Sequence, residues 1–456
     1  MREELLNMSE EELAGMEQKI RDLAATVPEI LEGLKRTKEG TPLQSIGNCI
    51  YAMERDPALK GKIRRNELAG YTVIEGDVGW KRRGHLFTET DENNLRLYLE
   101  ITYGLKSKTS IEAALDIIAN NESFNPVIDR LESLRWDGTP RIRCALHHFL
   151  GAEISDYVEE VLRMHMLAAI TRMYNPGAKY DICLCLVGAQ GGGKSTFFRF
   201  LALDDDWFSD HLRSPREKDV YTKLQGHWFI ELSEMKGGSQ SDDIEEMKAF
   251  ITRLSETYRT PYDKYPEDHK HMCVFCATSN DMHFLPFDRT GNRRFAPVLV
   301  DPAEAEVHIL ANEKESRAYV EQMWAEAMVL YRKGGFRLTF SEEMEDYAKQ
   351  LQKDFMPEDT DLGMVEMYLE KKGYPRTCVK QIYCDVFCHP IGDKVPISES
   401  KKITDILRIL SYKDIGTRRF PIFGNQKAWD RKRDPDEEIG EGFEKIAENE
   451  TVPFES

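Results

Sequence analysis

The stretch Ile182-Cys-Leu-Cys-Leu-Val187-Gly188-Ala-Gln-Gly-Gly-Gly-Lys194-Ser195-Thr196 decides how this 456-residue chain folds. Its apolar run shows no alternation, as expected of a strand buried on both faces of a parallel sheet. The loop after it fits the pattern Gly-x4-Gly-Lys-Ser, and Ser195–Leu201 reads as a helix. Strand, glycine loop and helix in that order predict a phosphate-binding loop. Glycines let backbone N–H groups turn inward at positive φ, and the helix N-terminus adds its dipole. Gly188, Gly191, Gly192, Gly193, Lys194, Ser195 and Thr196 are therefore the expected ATP-binding residues. Lys194 would reach the β- and γ-phosphates and Ser195 would hold Mg²⁺.

Two more buried strands are expected downstream, Trp228-Phe-Ile-Glu-Leu232 and Met272-Cys-Val-Phe-Cys-Ala277. A site of this kind needs a strand that ends in acid, to complete the Mg²⁺ shell and polarise the attacking water. Glu231 and Glu234 are the candidates: Glu234 just past the strand as the base, Glu231 as a metal-shell or supporting acid. At the end of the other strand, the Asn280 amide can orient the lytic water without adding charge. Thirteen residues further on stand Arg293 and Arg294, the residue type that stabilises phosphoryl-transfer charge, sometimes donated by a neighbouring subunit. Between the acid strand and the asparagine strand, Tyr258 to His271 mixes aromatics, prolines and bases and predicts a projecting hairpin. Lys264, His269, Lys270 and His271 could touch a phosphate backbone there, or the segment is an exposed loop.

Charge limits the range of functions. The net charge of −18 argues against a chain that coats nucleic acid with its whole surface. A local basic groove is still allowed, because phosphate attraction is screened within about 10 Å at 0.1 M salt. Between Lys401 and Arg433 there are ten Lys/Arg against three Asp/Glu, interleaved with Tyr412, Phe420, Phe423 and Trp429. A helix at Ile403–Leu410 followed by Arg418-Arg419-Phe-Pro-Ile-Phe-Gly resembles a recognition helix and wing for duplex DNA, or a solvated face that supports packing. Cys384-x3-Cys388-His389 has no second pair at finger spacing, so core cysteines on a helix are expected rather than zinc. Nine scattered cysteines fit a reducing compartment. No apolar run is long enough to span a membrane, and the acidic start Met1-Arg-Glu-Glu is not a signal peptide. A cytoplasmic location is expected.

The order of these elements resembles the superfamily 3 helicases of viruses, phages and plasmids, and more narrowly the virulence-associated protein E family. Tyr98-Leu-Glu with Tyr103-Gly-Leu, Asn125-Pro-Val, Leu131-Glu-Ser-Leu-Arg-Trp136-Asp-Gly-Thr-Pro140, Gly191-Gly-Gly-Lys-Ser-Thr-Phe-Phe198 and Thr290-Gly-Asn-Arg-Arg-Phe295 carry that resemblance over residues 45–345. It implies an AAA+-like α/β P-loop NTPase core, a mostly parallel sheet flanked by helices, in hexameric rings that unwind DNA at a replication origin. The hairpin then becomes a pore element that grips DNA. Two features depart from the family: the acidic pair is spread as Glu231-x-x-Glu234, and only about 150 residues precede the ATPase. Primase activity is therefore not expected in this chain, and a separate primase is an implied partner. The expected organisation is a helical segment 1–40, an α-rich N-terminal domain 41–154, the ATPase domain 155–345, a winged-helix-like domain 346–433 and an acidic tail 434–456. A nucleic-acid-binding ATP switch that does not unwind DNA and a monomeric small-molecule kinase are the competing readings.

Overall fold

The computed structural model describes residues 26–82, 84–212, 220–233, 241–258, 267–285, 292–357, 359–373 and 376–431. The chain divides into two compact units at Phe355–Met356. Among the described residues no helix is long and apolar enough to cross a membrane.

The first unit begins with a helical core of its own. The helices Ile46–Arg55, Glu89–Tyr103 and Lys108–Asn121 start at Ser45, Thr88 and Ser107, whose side chains accept from first-turn N–H groups. Their apolar faces, among them Leu95, Leu99, Ile111, Ala114 and Ile118, close over a hairpin. That hairpin pairs β1 (Ile63–Asn66) antiparallel with β2 (Tyr71–Ile74), an element the sequence reading missed. The carboxylate of Asp56, fully buried here, accepts from the hydroxyls of both Tyr98 and Tyr103 at 2.7 Å. The tyrosine motif is thus a structural one: a buried carboxylate must be matched by donors, and these two supply them.

Asn125 caps the next helix, Pro126–Ser133, with proline at its first position. The turn-rich segment after it is fastened to the long helix Glu313–Lys333. The Gln322 side chain accepts from the Asp137 N–H, and Glu326 accepts from those of Arg141 and Ile142.

A five-stranded, wholly parallel sheet follows, flanked by helices. Its strands are β3 (Cys183–Val187), β4 (Phe208–Ser209), β5 (Phe229–Leu232), β8 (Val274–Ser279) and β9 (Phe295–Leu299), in the order β4-β5-β8-β3-β9. β3 and β8 are buried at every residue, which explains their unbroken apolar runs. Pro297 is tolerated because β9 lies at a sheet edge. Between β5 and β8 the chain forms a two-stranded hairpin, β6 (Ser255–Tyr258) with β7 (Glu267–Lys270).

The helix Asp156–Tyr174 lies against the sheet and is buried on nearly all sides. Its Arg172 guanidinium, fully buried, donates to the carbonyls of Ala178, Tyr180 and Cys273 at 3.1, 2.7 and 2.6 Å. Three acceptors are what make a buried cation tolerable, and they fix the approach of the chain into β8. Trp228 and Trp324 pack with centroids 4.5 Å apart and donate to the carbonyls of Ala169 and Leu201. The helix Glu313–Lys333 is capped by Asn312. Pro302 opens only a short 3-10 turn, and residues 305–312 are irregular. The helix Glu342–Asp354 stays with the first unit because Gln352 donates to Phe295 O at 2.7 Å.

The second unit runs helix Thr360–Lys372, β10 (Arg376–Cys378), helices Val379–Asp385 and Ile397–Ile409, β11 (Tyr412–Phe420), β12 (Gly424–Arg431). Its antiparallel sheet has the order β10-β12-β11. Val365, Leu369, Ile382, Ile403, Ile406, Leu407, Tyr412 and Trp429 form its core. The helix expected at 403–410 starts six residues earlier, straight after Pro396. Cys384 is buried on its helix as expected. Cys388 is not: it lies exposed beyond the helix end, at φ 56°.

Candidate functional site

The loop Gly188–Gly193 joins β3 to the helix Lys194–Leu201, and the close fit of its backbone requires glycine. A Cβ on Gly188 would lie 2.2 Å from Val300 O, and one on Gly192 would lie 2.4 Å from Pro302 Cγ. Gly191 and Gly193 sit at φ 81° and 84°, and Gly193 also packs on Ile309. Residues 300–309 therefore press on the loop from one side. No side chain caps the helix, so its first-turn N–H groups are left to face whatever binds at the loop.

Lys194 is buried, and its ammonium donates to Gly188 O and Ala189 O at 2.7 Å and to Asn280 Oδ1 at 2.9 Å. Burial lowers its pKa, with the charge of Glu231 pulling the other way. The lysine and the asparagine expected from separate strands thus meet directly.

Glu231 is the second meeting point. It lies on β5, opposite Cys276 in register, and has no exposed surface. Its Oε1 accepts from Ser195 Oγ at 2.8 Å and from Thr278 Oγ1 at 2.5 Å. Its Oε2 is equally buried and has no donor among the described residues. Burial raises the carboxyl pKa, and the Thr278 and Ser195 hydrogen bonds offset this in part. Thr278 was not anticipated. The available signal was a hydroxyl pair, Thr278-Ser279, ending a buried strand next to one carrying a carboxylate. Ser195 is exposed and Thr196 half-buried, both in the first helical turn. Together Lys194, Ser195, Glu231, Thr278 and Asn280 converge toward the carboxyl ends of β3, β5 and β8, where ligands of open parallel sheets bind.

Other expected residues lie elsewhere. Arg293 and Arg294 precede β9, and Phe295 pairs with Cys183 at the start of β3. They are therefore at the opposite end of the sheet from the loop, about 16 Å away at ~3.3 Å per residue over β3. Arg294 donates to Thr252 Oγ1 at 2.8 Å, whereas the Arg293 side chain is 60% exposed, with Asp181 at 3.9 Å. His269 and Lys270 sit on β7 of the expected hairpin, with Lys270 exposed.

His271 is a correction to the expected DNA-contacting set. It is buried between Phe250 and Phe275, and neither ring nitrogen has a partner among the described residues. Burial pushes its pKa down to about 4, so at neutral pH it offers no charge to a phosphate. Glu234 and Lys264 lie outside the described residues. Arg418 and Arg419 stand on β11, paired with Gln426 and Asn425 of β12 near the hairpin turn.

Residues 131–357 match the model of the Virulence-associated protein E-like domain. No curated protein matches the chain. Among solved structures, the chain is similar to an apo structure of the NrS-1 C terminal region at 14% identity and TM-score 0.45. That alignment covers 81% of this chain and 96% of the other. An A form apo structure of the same region aligns over the same shares at 13% identity and TM-score 0.42.

Proposed function

With residues 131–357 belonging to the virulence-associated protein E-like domains, we propose that this chain is an ATP-hydrolysing DNA helicase of a phage or mobile element, working as a ring of identical subunits. The observation that carries the reading is the convergence at the loop. Lys194 reaches Asn280 at 2.9 Å, and Ser195 reaches the buried Glu231 at 2.8 Å. Glycine, lysine, hydroxyl, carboxylate and amide from three strands of one parallel sheet are the parts that phosphoryl transfer from a nucleotide needs.

The residues present fit Mg-ATP. Four of the six loop residues Gly188–Gly193 are glycines, which leaves little side-chain bulk against a polyphosphate, and the helix after the loop has no side-chain cap on its N–H groups. The orphaned Oε2 of Glu231 beside Ser195 is an oxygen donor set suited to a hard divalent cation. When bound, Mg²⁺ would supply charge neutralisation at the phosphate oxygens. Lys194 would exchange its carbonyl partners for phosphate oxygens. Thr278 fixes the rotamer of Glu231, and Asn280 would orient the attacking water. In this reading Glu234 is the base that takes the proton.

The strand order, with β8 inserted between the loop strand and the acid strand, supports an AAA+-like core. The second unit supports a winged-helix-like domain by its element order, with Arg418 and Arg419 on the wing hairpin. DNA contacts would come from there, from His269 and Lys270 on β7, and from Lys264. Strand displacement from a forked duplex, compared between wild type and Lys264→Ala, tests the reading. Wild type should separate the strands and the variant should not. DNA-stimulated ATP hydrolysis with no displacement by wild type would reject the helicase and leave a nucleic-acid-binding ATP switch. A strict monomer in ATP would reject the ring.

A further inference from the structure

The second unit holds a cleft of about 590 Å³ between the helix Ile397–Ile409 and the β11–β12 hairpin. Thr404 and Arg408 line it from the helix, Lys380 from the helix Val379–Asp385, and Lys413, Lys427 and Asp414 from the hairpin. Four cations therefore face one carboxylate, in a chain whose overall charge is −18. Asp414 is taken by Lys427 at 2.7 Å, and Arg408 pairs with Asp405 at 3.1 Å. The wall still keeps a surplus of positive charge.

The floor of the cleft gives an independent indication. Trp429 lines it and is only 4% exposed, yet its indole N–H has no acceptor among the described residues. Trp228 and Trp324 in the first unit, equally buried, each donate to a carbonyl. A buried donor left without a partner is destabilising unless something supplies the acceptor. An anion seated among these cations would do so.

We propose that this cleft is a seat for a phosphate group of a nucleic-acid strand, held by Arg408, Lys413 and Lys427 and accepting from the Trp429 indole. It rests on the reading that the second unit binds nucleic acid, and it assigns a site distinct from Arg418 and Arg419 at the hairpin turn. The volume suits one nucleotide-sized ligand, so a mononucleotide phosphate is the other source of the same chemistry.

The test is fluorescence anisotropy of labelled single-stranded and duplex oligonucleotides with the full chain, across a salt series, with thermal melting as the check that each variant is folded. Arg408→Ala/Lys413→Ala removes two surface cations. It should weaken binding on the order of tenfold or more and flatten the log–log salt slope by about 1.4–1.8. Trp429→Phe should weaken binding several-fold with the slope unchanged, since a neutral donor releases no counterion. An oligonucleotide with a neutral methylphosphonate backbone should bind wild type and the double variant alike. AMP, titrated against the Lys194→Ala chain so that the loop is not read, distinguishes the two sources. Competition by AMP that the double variant abolishes assigns the cleft to free nucleotide phosphate. Unchanged affinity and slope in the double variant, with binding lost in Arg418→Ala/Arg419→Ala, would overturn the cleft and leave the DNA reading intact. Failure of wild type to bind either oligonucleotide or AMP would overturn both.

Discussion

Lys194 donates to Asn280 Oδ1 across 2.9 Å, so the helix after β3 and the end of β8 are held together by one ammonium–amide hydrogen bond. The same ammonium is held by Gly188 O and Ala189 O, which keeps it over its own loop. Two roles follow under the proposed function. Lys194 would bind phosphate, and Asn280 would be left facing the site when the lysine swings to its ligand. Lys194→Ala should abolish ATP turnover with the fold intact. Asn280→Ala should lower kcat by about 10²–10³, the usual loss for one oriented polar group, with a smaller change in nucleotide affinity. Steady-state hydrolysis alongside nucleotide-binding titrations separates the two. Full turnover in either variant would mean that the chemistry lies elsewhere.

The buried carboxyl of Glu231 gives a pH signature. Burial raises its pKa above the usual 4.5, so the ionised form is costlier in the folded chain than in the unfolded one. That cost is absent below pH 4.5, where both states are protonated, and is present in full once the pH passes the folded pKa. Glu231→Gln should therefore melt above wild type at pH 7–8 in metal-free buffer, with the gap closing as the pH falls to 4. Each kcal/mol regained moves Tm by about 1–2 °C, at ~2.1 cal/mol/K of unfolding entropy per residue. Turnover should be lost at every pH, because the amide cannot serve the cation as the carboxylate would. A variant that melts below wild type at pH 8 would contradict the direction of this argument.

The glycines of the loop differ in cost for a reason visible in their surroundings. A Cβ on Gly188 would meet the carbonyl of Val300 at 2.2 Å, and backbone cannot step aside as a side chain can. Gly191 has positive φ but open space around it. Gly188→Ala should therefore destabilise the first unit by several kcal/mol or prevent folding, whereas Gly191→Ala should cost about 1–2 kcal/mol. Urea denaturation of the two variants gives the order directly, and equal midpoints would mean that residues 300–309 do not press on the loop.

The parts of this site that sequence could reveal were those whose local chemistry is self-sufficient. Ile182–Val187 and Val274–Ala277 are apolar without alternation because both faces are covered, and the glycine spacing of Gly188–Ser195 calls for a tight strand-to-helix turn. What was hidden depended on packing between distant segments. Thr278 gains its role only because β8 runs beside β5, and His271 loses its expected role because Phe250 and Phe275 close over it. The β1–β2 hairpin was missed because Ile63–Asn66 carries two arginines in its four residues and does not read as a strand. Tyr98 and Tyr103 were visible as a motif, but their shared partner Asp56 lies more than forty positions earlier.

For the proposed ring, the arginine pair bears on how subunits would cooperate. Phe295 pairs with Cys183, so Arg293 and Arg294 sit at the amino ends of the strands whose carboxyl ends carry the loop. A single chain cannot bring them to its own loop without unpicking β9. Arg294 is already engaged with Thr252, while Arg293 is largely exposed with only a 3.9 Å neighbour. In the proposed ring Arg293 would be the residue donated across a head-to-tail interface, and Arg293→Ala should lose hydrolysis as Lys194→Ala does. Mixing the two inactive chains provides the decisive measurement. Random assembly leaves about a quarter of interfaces with an intact lysine on one side and an intact arginine on the other, so activity should return toward that fraction of wild type. An arginine acting within its own chain predicts no recovery at any mixing ratio.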